Sequence, residues 1–198
     1  MSHEFLCNNR IMKRKITIYL NAPITIGFCV ICLIALLLQL LTNGASTNAI
    51  FSTYGSSFFD PLTYVRLVGH VFGHADFNHL LGNLMYILIL GPMLEEKYHD
   101  RLIYVILATA VVTGLVNNIF FPNTQLLGAS GVVFAFILLS SITGSSHGIP
   151  VTSLIVALLW IGGEIYDMVT IRDNISQITH IVGGITGLLI GLSFKKKN

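Results

Sequence analysis

The stretch LIYVILATAVVTGLVNNIFFPNTQLLGASGVVFAFILLSSITGSSHGIPVTSLIVALLWIGG, residues 102–163, contains no Asp, Glu, Lys or Arg. Crossing a hydrocarbon core takes about 20 mainly apolar residues, so the run holds enough chain for three crossings. Two polar breaks divide it, Asn117-Asn118 through Pro122-Asn123-Thr124-Gln125 and Gly144 through Pro150. Three spans in series are the expectation.

Working outward, the charged turn Glu95-Glu96-Lys97-Tyr98-His99-Asp100-Arg101 closes an apolar segment running from about Asp76 to Leu94. Residues 42–76 mix Gly, Ser and polar residues with aromatics. That segment is too broken for a span and too apolar to be fully solvated, and is expected to lie partly in the membrane interface. Tyr19–Leu41 is the first span. It is longer than the roughly 7–15-residue apolar core of a signal peptide, so it is expected to stay attached. After the polar stretch Glu164 to Gln177, Ile178–Phe194 forms the last span, followed by Lys195-Lys196-Lys197. The chain therefore reads as an all-α membrane protein with six transmembrane helices. It divides into an N-terminal segment (1–18), a membrane domain (19–194) and a basic tail (195–198).

Composition agrees. Of 198 residues only 10% are charged, against about 25% in soluble domains, and six spans leave no length for a second domain. Nine of the eleven Lys and Arg residues (Arg10, Lys13, Arg14, Lys15, Lys97, Arg101 and Lys195 to Lys197) fall on one side of this topology, with Arg66 and Arg172 opposite. Basic loops stay cytoplasmic, so both termini are expected there. These basic residues form short flanking clusters rather than one face, which speaks against a nucleic-acid partner. Cys7, Cys29 and Cys32 offer no even disulfide framework, and Cys29-x-x-Cys32 lies within an apolar run, where packing is the expected role.

Spans two, four and six all start at the outer face. At about 1.5 Å per residue, His79 and Asn83 in span two, Ser130 in span four and His180 in span six share a layer roughly 5–10 Å deep. Ionisable residues inside spans are costly and mark functional sites or water-filled cavities. His79 and Asn83, four apart, share a helix face. Two readings stand on spacing alone. In one, Ser130 is a nucleophile and His180 its general base and acid, with Asn83, His79 and the Ser130 N–H stabilising an oxyanion. In the other, the same groups are interhelical hydrogen bonds. Small residues around the serine, Gly128-Ala129-Ser130-Gly131, and the Gly183-x-x-x-Gly187 face after His180 allow the two helices to approach closely.

Taken together, His74-Ala75-Asp76-Phe77-Asn78-His79-Leu80-Leu81-Gly82-Asn83, Gly128-Ala129-Ser130-Gly131 and His180 with Gly183 and Gly187 resemble the rhomboid family of intramembrane serine proteases, over residues 60 to 194. Arg66 in the first loop and Glu95 at the inner end of span two add to the likeness. The resemblance implies a six-helix bundle with a Ser130–His180 dyad, lacking an acidic third member, in a water-filled cavity open to the outer face. It makes His79 and Asn83 the oxyanion donors; His70 and His74 match family positions as well, and are read here as structural. It implies no cofactor and no metal. The partners it implies are membrane lipid and single-span membrane proteins cut near small residues, and the bacterial-type pattern implies an integral multi-pass protein of the bacterial plasma membrane.

The chain departs from the family pattern in two places. Phe134 stands where many bacterial members carry Tyr, and Val65-Arg66 where an aromatic-Arg pair is common. Glu164 and Asp167, three apart, read as an interfacial or gating pair, and His99 and His147 as solvated loop residues. Rival functions leave other marks. An inert rhomboid-like binder would lose Ser or His, a transporter would show repeats or interrupted helices, and a zinc protease would carry H-E-x-x-H. None of these marks is present; His74 and His79 are five apart rather than four.

Overall fold

The computed structural model describes residues 18–143, 149–170 and 175–194, with side chains described through 143, from 149 to 166 and from 177. The basic residues Arg10, Lys13, Arg14, Lys15, Arg172 and Lys195 to Lys197, together with Cys7, His147 and the Asp167 side chain, lie outside that description. Among the described residues the chain is all-helical, with helices α1 (Pro23–Leu41), α2 (Ala45–Ala49), α3 (Pro61–Gly69), α4 (Phe77–Tyr98), α5 (Leu102–Phe120), α6 (Ser130–Ile142), α7 (Val151–Thr170) and α8 (Ile175–Ser193). Helices α1 and α4 to α8 occupy the six apolar segments read from the sequence.

Length and composition single out fewer crossings than the six expected. Pro23–Leu41 and the continuous run Phe77–Phe120 are long and apolar enough to span a membrane, whereas the apolar parts of the last three helices, Ser130–Ile142, Val151–Tyr166 and Gln177–Ser193, are shorter. In α6 the reason is local. Residues 121–129 are drawn into a hydrogen-bonded loop, and the helix starts only at Ser130.

Two sequence boundaries are corrected. Asn117 and Asn118 do not break a helix, because α5 continues to Phe120. Both are buried, and their side-chain amides donate outward to neighbouring loops, Asn117 to the carbonyls of Thr53 (3.1 Å) and Thr124 (2.9 Å), Asn118 to that of Tyr54 (2.9 Å). Polar side chains that serve loop backbone leave the helical backbone bonds intact. Glu95 likewise does not open a charged turn. It lies inside α4, is buried, and accepts from the backbone N–H groups of Ile24 (2.8 Å) and Thr25 (2.9 Å) and from the Thr25 hydroxyl (2.8 Å). The first turn of α1 has no side-chain cap of its own. A carboxylate some seventy residues away satisfies its orphan donors and complements the positive end of its dipole.

The first loop is built rather than loose. Asp60 caps α3 by accepting from Leu62 N–H (3.0 Å) and also pairs with Arg66 (3.2 Å). Arg66, buried, donates to the Ala49 carbonyl (3.2 Å) and lies over the Tyr54 ring. An antiparallel bridge between Thr53 and Leu126 joins this loop to the segment before α6.

The core is formed by α1, α4, α5 and α6, with Cys32, Leu80, Ile87, Leu94, Leu102, Val105, Val132, Phe136 and Leu139 among its buried residues. α8 packs chiefly on α6 and α5. Leu37, Ile89, Leu158, Leu159 and Leu189 each expose more than half their surface. So many large apolar side chains facing outward on long helices form a surface suited to lipid, and the protein is membrane-associated.

The Glu95 contact has a measurable consequence. Glu95→Gln keeps the shape but leaves one acceptor oxygen for three donors and removes the charge. The expected loss is about 1.5–3 kcal/mol, the range for hydrogen bonds to a charged group, read as a lower unfolding midpoint in detergent. An unchanged midpoint would refute this capping role.

Candidate active site

Ser130 is the first residue of α6, so its backbone N–H has no partner within the helix and points with the positive end of the helix dipole. Its Oγ lies 2.8 Å from Nε2 of His180, which sits in the second turn of α8. Two close backbone approaches account for the distance. A Cβ added to Gly183 would stand 2.8 Å from the Cα and carbonyl oxygen of Gly131, and one added to Gly187 would collide with Ala135. Any larger side chain at these positions would push α8 away from α6.

The imidazole of His180 is held on three sides. Its ring lies 4.6 Å from that of Phe134, which in turn packs at 3.8 Å against Trp160 of α7. Phe134 thus makes the ring contact without a hydroxyl. At the ring edge, Glu164 Oε2 lies 3.1 Å from His180 Nδ1. The resemblance implied a dyad without an acid, and Glu164 read as an interfacial or gating residue. Here the carboxylate turns inward onto the histidine. The missed signal was spacing: Trp160 and Glu164 are four apart and share one face of α7.

His79 and Asn83 come from α4, whose N-terminus is capped by Asp76 accepting from His79 N–H (2.8 Å). The His79 side-chain Nδ1 accepts from Ala75 N–H (3.4 Å). An accepting Nδ1 puts the ring proton on Nε2, leaving that nitrogen a donor. It faces Gly128, where a Cβ would stand 2.9 Å from the imidazole; Gly128 also has φ +130°. Both the backbone conformation and the histidine above it demand glycine. Asn83 is buried, and its amide nitrogen has no hydrogen-bond partner. His79, Asn83, Ser130, Phe134, Trp160 and His180 all line one cavity of about 580 Å³. The arrangement offers a hydroxyl against an imidazole, with donors from Asn83, His79 and the Ser130 N–H nearby, which is the equipment for acyl transfer.

His70 and His74 serve the frame. The buried His70 ring donates from Nδ1 to the Arg66 carbonyl (3.3 Å) and faces the Thr113 hydroxyl through Nε2 (3.2 Å). Its backbone carbonyl accepts from Gly128 N–H (2.9 Å), tying the first loop to the serine loop. His74 donates to the Phe72 carbonyl (3.1 Å) and packs edge-on to His79 (5.0 Å between centroids).

The profile of the family described as Rhomboid domain matches residues 61–197. The chain belongs to the rhomboid family. It is 29% identical over 175 residues to the rhomboid protease GlpG of Yersinia pseudotuberculosis serotype I (strain IP32953), covering 85% of this chain and 61% of that protein. It is 33% identical over 137 residues to rhomboid-related protein 1 of Caenorhabditis elegans, covering 64% of this chain and 38% of that one. The chain thus spans less than two thirds of the length of either relative.

Burial pushes both loop histidines down to about 4, His70 by desolvation and His74 by desolvation reinforced by the neighbouring His79. An unfolded histidine titrates near 6.5. With the folded value depressed, the unfolded chain binds the extra protons first. Stability is therefore full above about pH 6.5 and declines as pH falls towards 4. Unfolding midpoints in detergent measured from pH 7.5 down to 4.5 should fall, and His70→Gln should flatten part of that slope. A midpoint that rises on acidification would contradict the buried neutral state.

Proposed function

We propose that this chain is an intramembrane serine endopeptidase that cleaves single-span membrane proteins within or near their transmembrane segment. The observation that carries the reading is the 2.8 Å approach of Ser130 Oγ to His180 Nε2 in a cavity that also holds an unpartnered Asn83 amide. Family membership supports the chemistry. Ser130 attacks the scissile carbonyl carbon as its proton passes to Nε2 of His180. The carbonyl oxygen becomes an oxyanion held by Asn83, His79 and the Ser130 N–H. His180 then gives the proton to the leaving amine, and the C–N bond breaks to leave an acyl-enzyme. Water attacks the ester, its proton goes to Nε2, and the serine is released with a carboxyl product.

The substrate reaches this site from the lipid, because the cavity lies among helices whose outer faces are apolar. In the membrane the domain of residues 19–194 crosses six times, with segment 1–18 and tail 195–198 cytoplasmic, in a bacterial plasma membrane. The short apolar part of α6 fits such a crossing because the loop at 121–129 completes the outer part of its path.

Two measurements test the reading. A fluorophosphonate should label Ser130 in detergent-purified protein and stop cleavage of a panel of tagged single-span substrates, and both should be lost in Ser130→Ala and nearly lost in His180→Ala. Cleavage that persists in Ser130→Ala would refute the assignment, and folded wild type that neither labels nor cleaves would identify an inert binder. The oxyanion role predicts that Asn83→Ala lowers kcat by about 10²–10³-fold with KM little changed, as loss of one such donor does elsewhere. Weakened binding at constant turnover would remove Asn83 from that role.

A further inference from the structure

In the proposed mechanism the proton passes through Nε2 of His180, and Nδ1 takes no part in the transfer. That nitrogen faces a carboxylate. Glu164 Oε2 stands 3.1 Å from Nδ1, and Glu164 is buried on the inner face of α7 although its neighbours Gly163 and Ile165 are exposed. Burying a carboxylate among apolar helices is costly unless it is paired. The side chain it meets is the proposed base.

We infer that Glu164 is a positioning residue that makes the Ser130–His180 pair a three-membered relay, holding His180 with its proton on Nδ1 and its Nε2 lone pair on Ser130. The inference rests on the protease reading above for its kinetic consequence, but the hydrogen bond stands by itself. Three observations support it.

The first is chemical. A carboxylate can only accept, so an Nδ1 that faces it carries the proton. Nε2 is then unprotonated and can accept from the serine hydroxyl at 2.8 Å. The opposite tautomer would place a lone pair against the carboxylate and an N–H against the hydroxyl, which would disable the base. The second is geometric. Trp160 and Glu164 share one face of α7, and the imidazole meets both the Phe134 ring, itself backed by Trp160, and the Glu164 oxygen. The aromatic contact restrains the plane of the ring, and the carboxylate restrains its rotation about the side chain.

The third is electrostatic. When His180 takes the serine proton it becomes a cation in a partly buried site, where charge is poorly solvated and a nearby opposite charge counts for more than in water. His79, on α4, faces the same cavity and as a neutral donor offers no countercharge. Glu164 offers one. The proton travels from Ser130 Oγ to Nε2 and on to the leaving nitrogen; Nδ1 keeps its own throughout.

Glu164→Gln tests this. The amide either accepts without charge or, if turned, donates to Nδ1 and stabilises the wrong tautomer. In serine proteases with a carboxylate behind the histidine, an equivalent change lowers kcat by about 10⁴-fold. Here kcat should fall by about 100-fold or more, with KM within about threefold and fluorophosphonate labelling of Ser130 slowed in parallel. Glu164→Asp, which keeps the charge, should retain more activity than Glu164→Gln. A contact that only joined α7 to α8 would lower the unfolding midpoint and spare kcat in the folded protein. Nitrogen-15 NMR of histidine-labelled protein, with His180 assigned by its loss in His180→Ala, reads the contact without any activity. Wild type should show neutral His180 protonated at Nδ1, and Glu164→Leu a mixture of tautomers. Glu164→Gln with kcat within threefold of wild type, or wild-type His180 protonated at Nε2, would overturn the inference. If Glu164→Gln fails to fold, the wild-type tautomer decides alone. A wild type that neither cleaves nor labels but holds the Nδ1–H tautomer would sink the protease reading and leave the positioning contact in place.

Discussion

The approach of α6 to α8 at Gly131 and Gly183 is the constraint on which the site depends. A side chain's first carbon at Gly183 would already stand 2.8 Å from the facing backbone. Lipid supplies no hydrophobic drive to press helices together, so close association comes from van der Waals contact and hydrogen bonds, and both demand short interaxial distance. The small residues at this crossing permit it. Serine and histidine then meet within hydrogen-bond range although fifty residues separate them in the chain.

Position along each helix axis is decided by different groups. Residues 121–129 must hold Ser130 at the mouth of the cavity, and they do so through backbone bonds to the first loop at Thr53 and Gly55 and to the His70 carbonyl. Asn117, Asn118 and Gln125 add side-chain bonds to that loop, and Arg66 holds it from within. The region is polar yet buried, and its backbone and amide donors find partners, although Thr53 Oγ1 and Asn117 Oδ1 have none. The same economy governs the inner end, where Glu95 caps a helix that has no cap of its own. Among the described residues, Asn117, Asn118 and Glu95 complete the backbone of a neighbouring element, whereas His79, Asn83, Ser130 and His180 gather around one cavity.

The apolar, charge-free runs and the polar breaks between them make six helices legible. Ser130, His180, His79 and Asn83 were legible as a set because polar groups at equal depth in charge-free segments have few reasons to exist. Asn117 and Asn118 were misread as a break, because an Asn pair marks a turn when its amides serve their own backbone and a helix when they serve another's. Glu95 reads in the sequence as the start of a charged turn for the same reason. Its partners at Ile24 and Thr25 belong to a different element.

What the sequence by itself determined was which segments are apolar helices and how far along each helix its polar residues lie, because both follow from local composition and from the fixed rise of a helix. What only the tertiary structure decided was direction around each helix axis. Glu164 could face lipid interface, gate or histidine, and its neighbours in the chain do not discriminate, since a carboxylate's orientation is set by whichever partner on another helix offsets its desolvation. The packing of α7 against α6 and α8 made that choice, bringing Trp160 against Phe134 and Glu164 against His180.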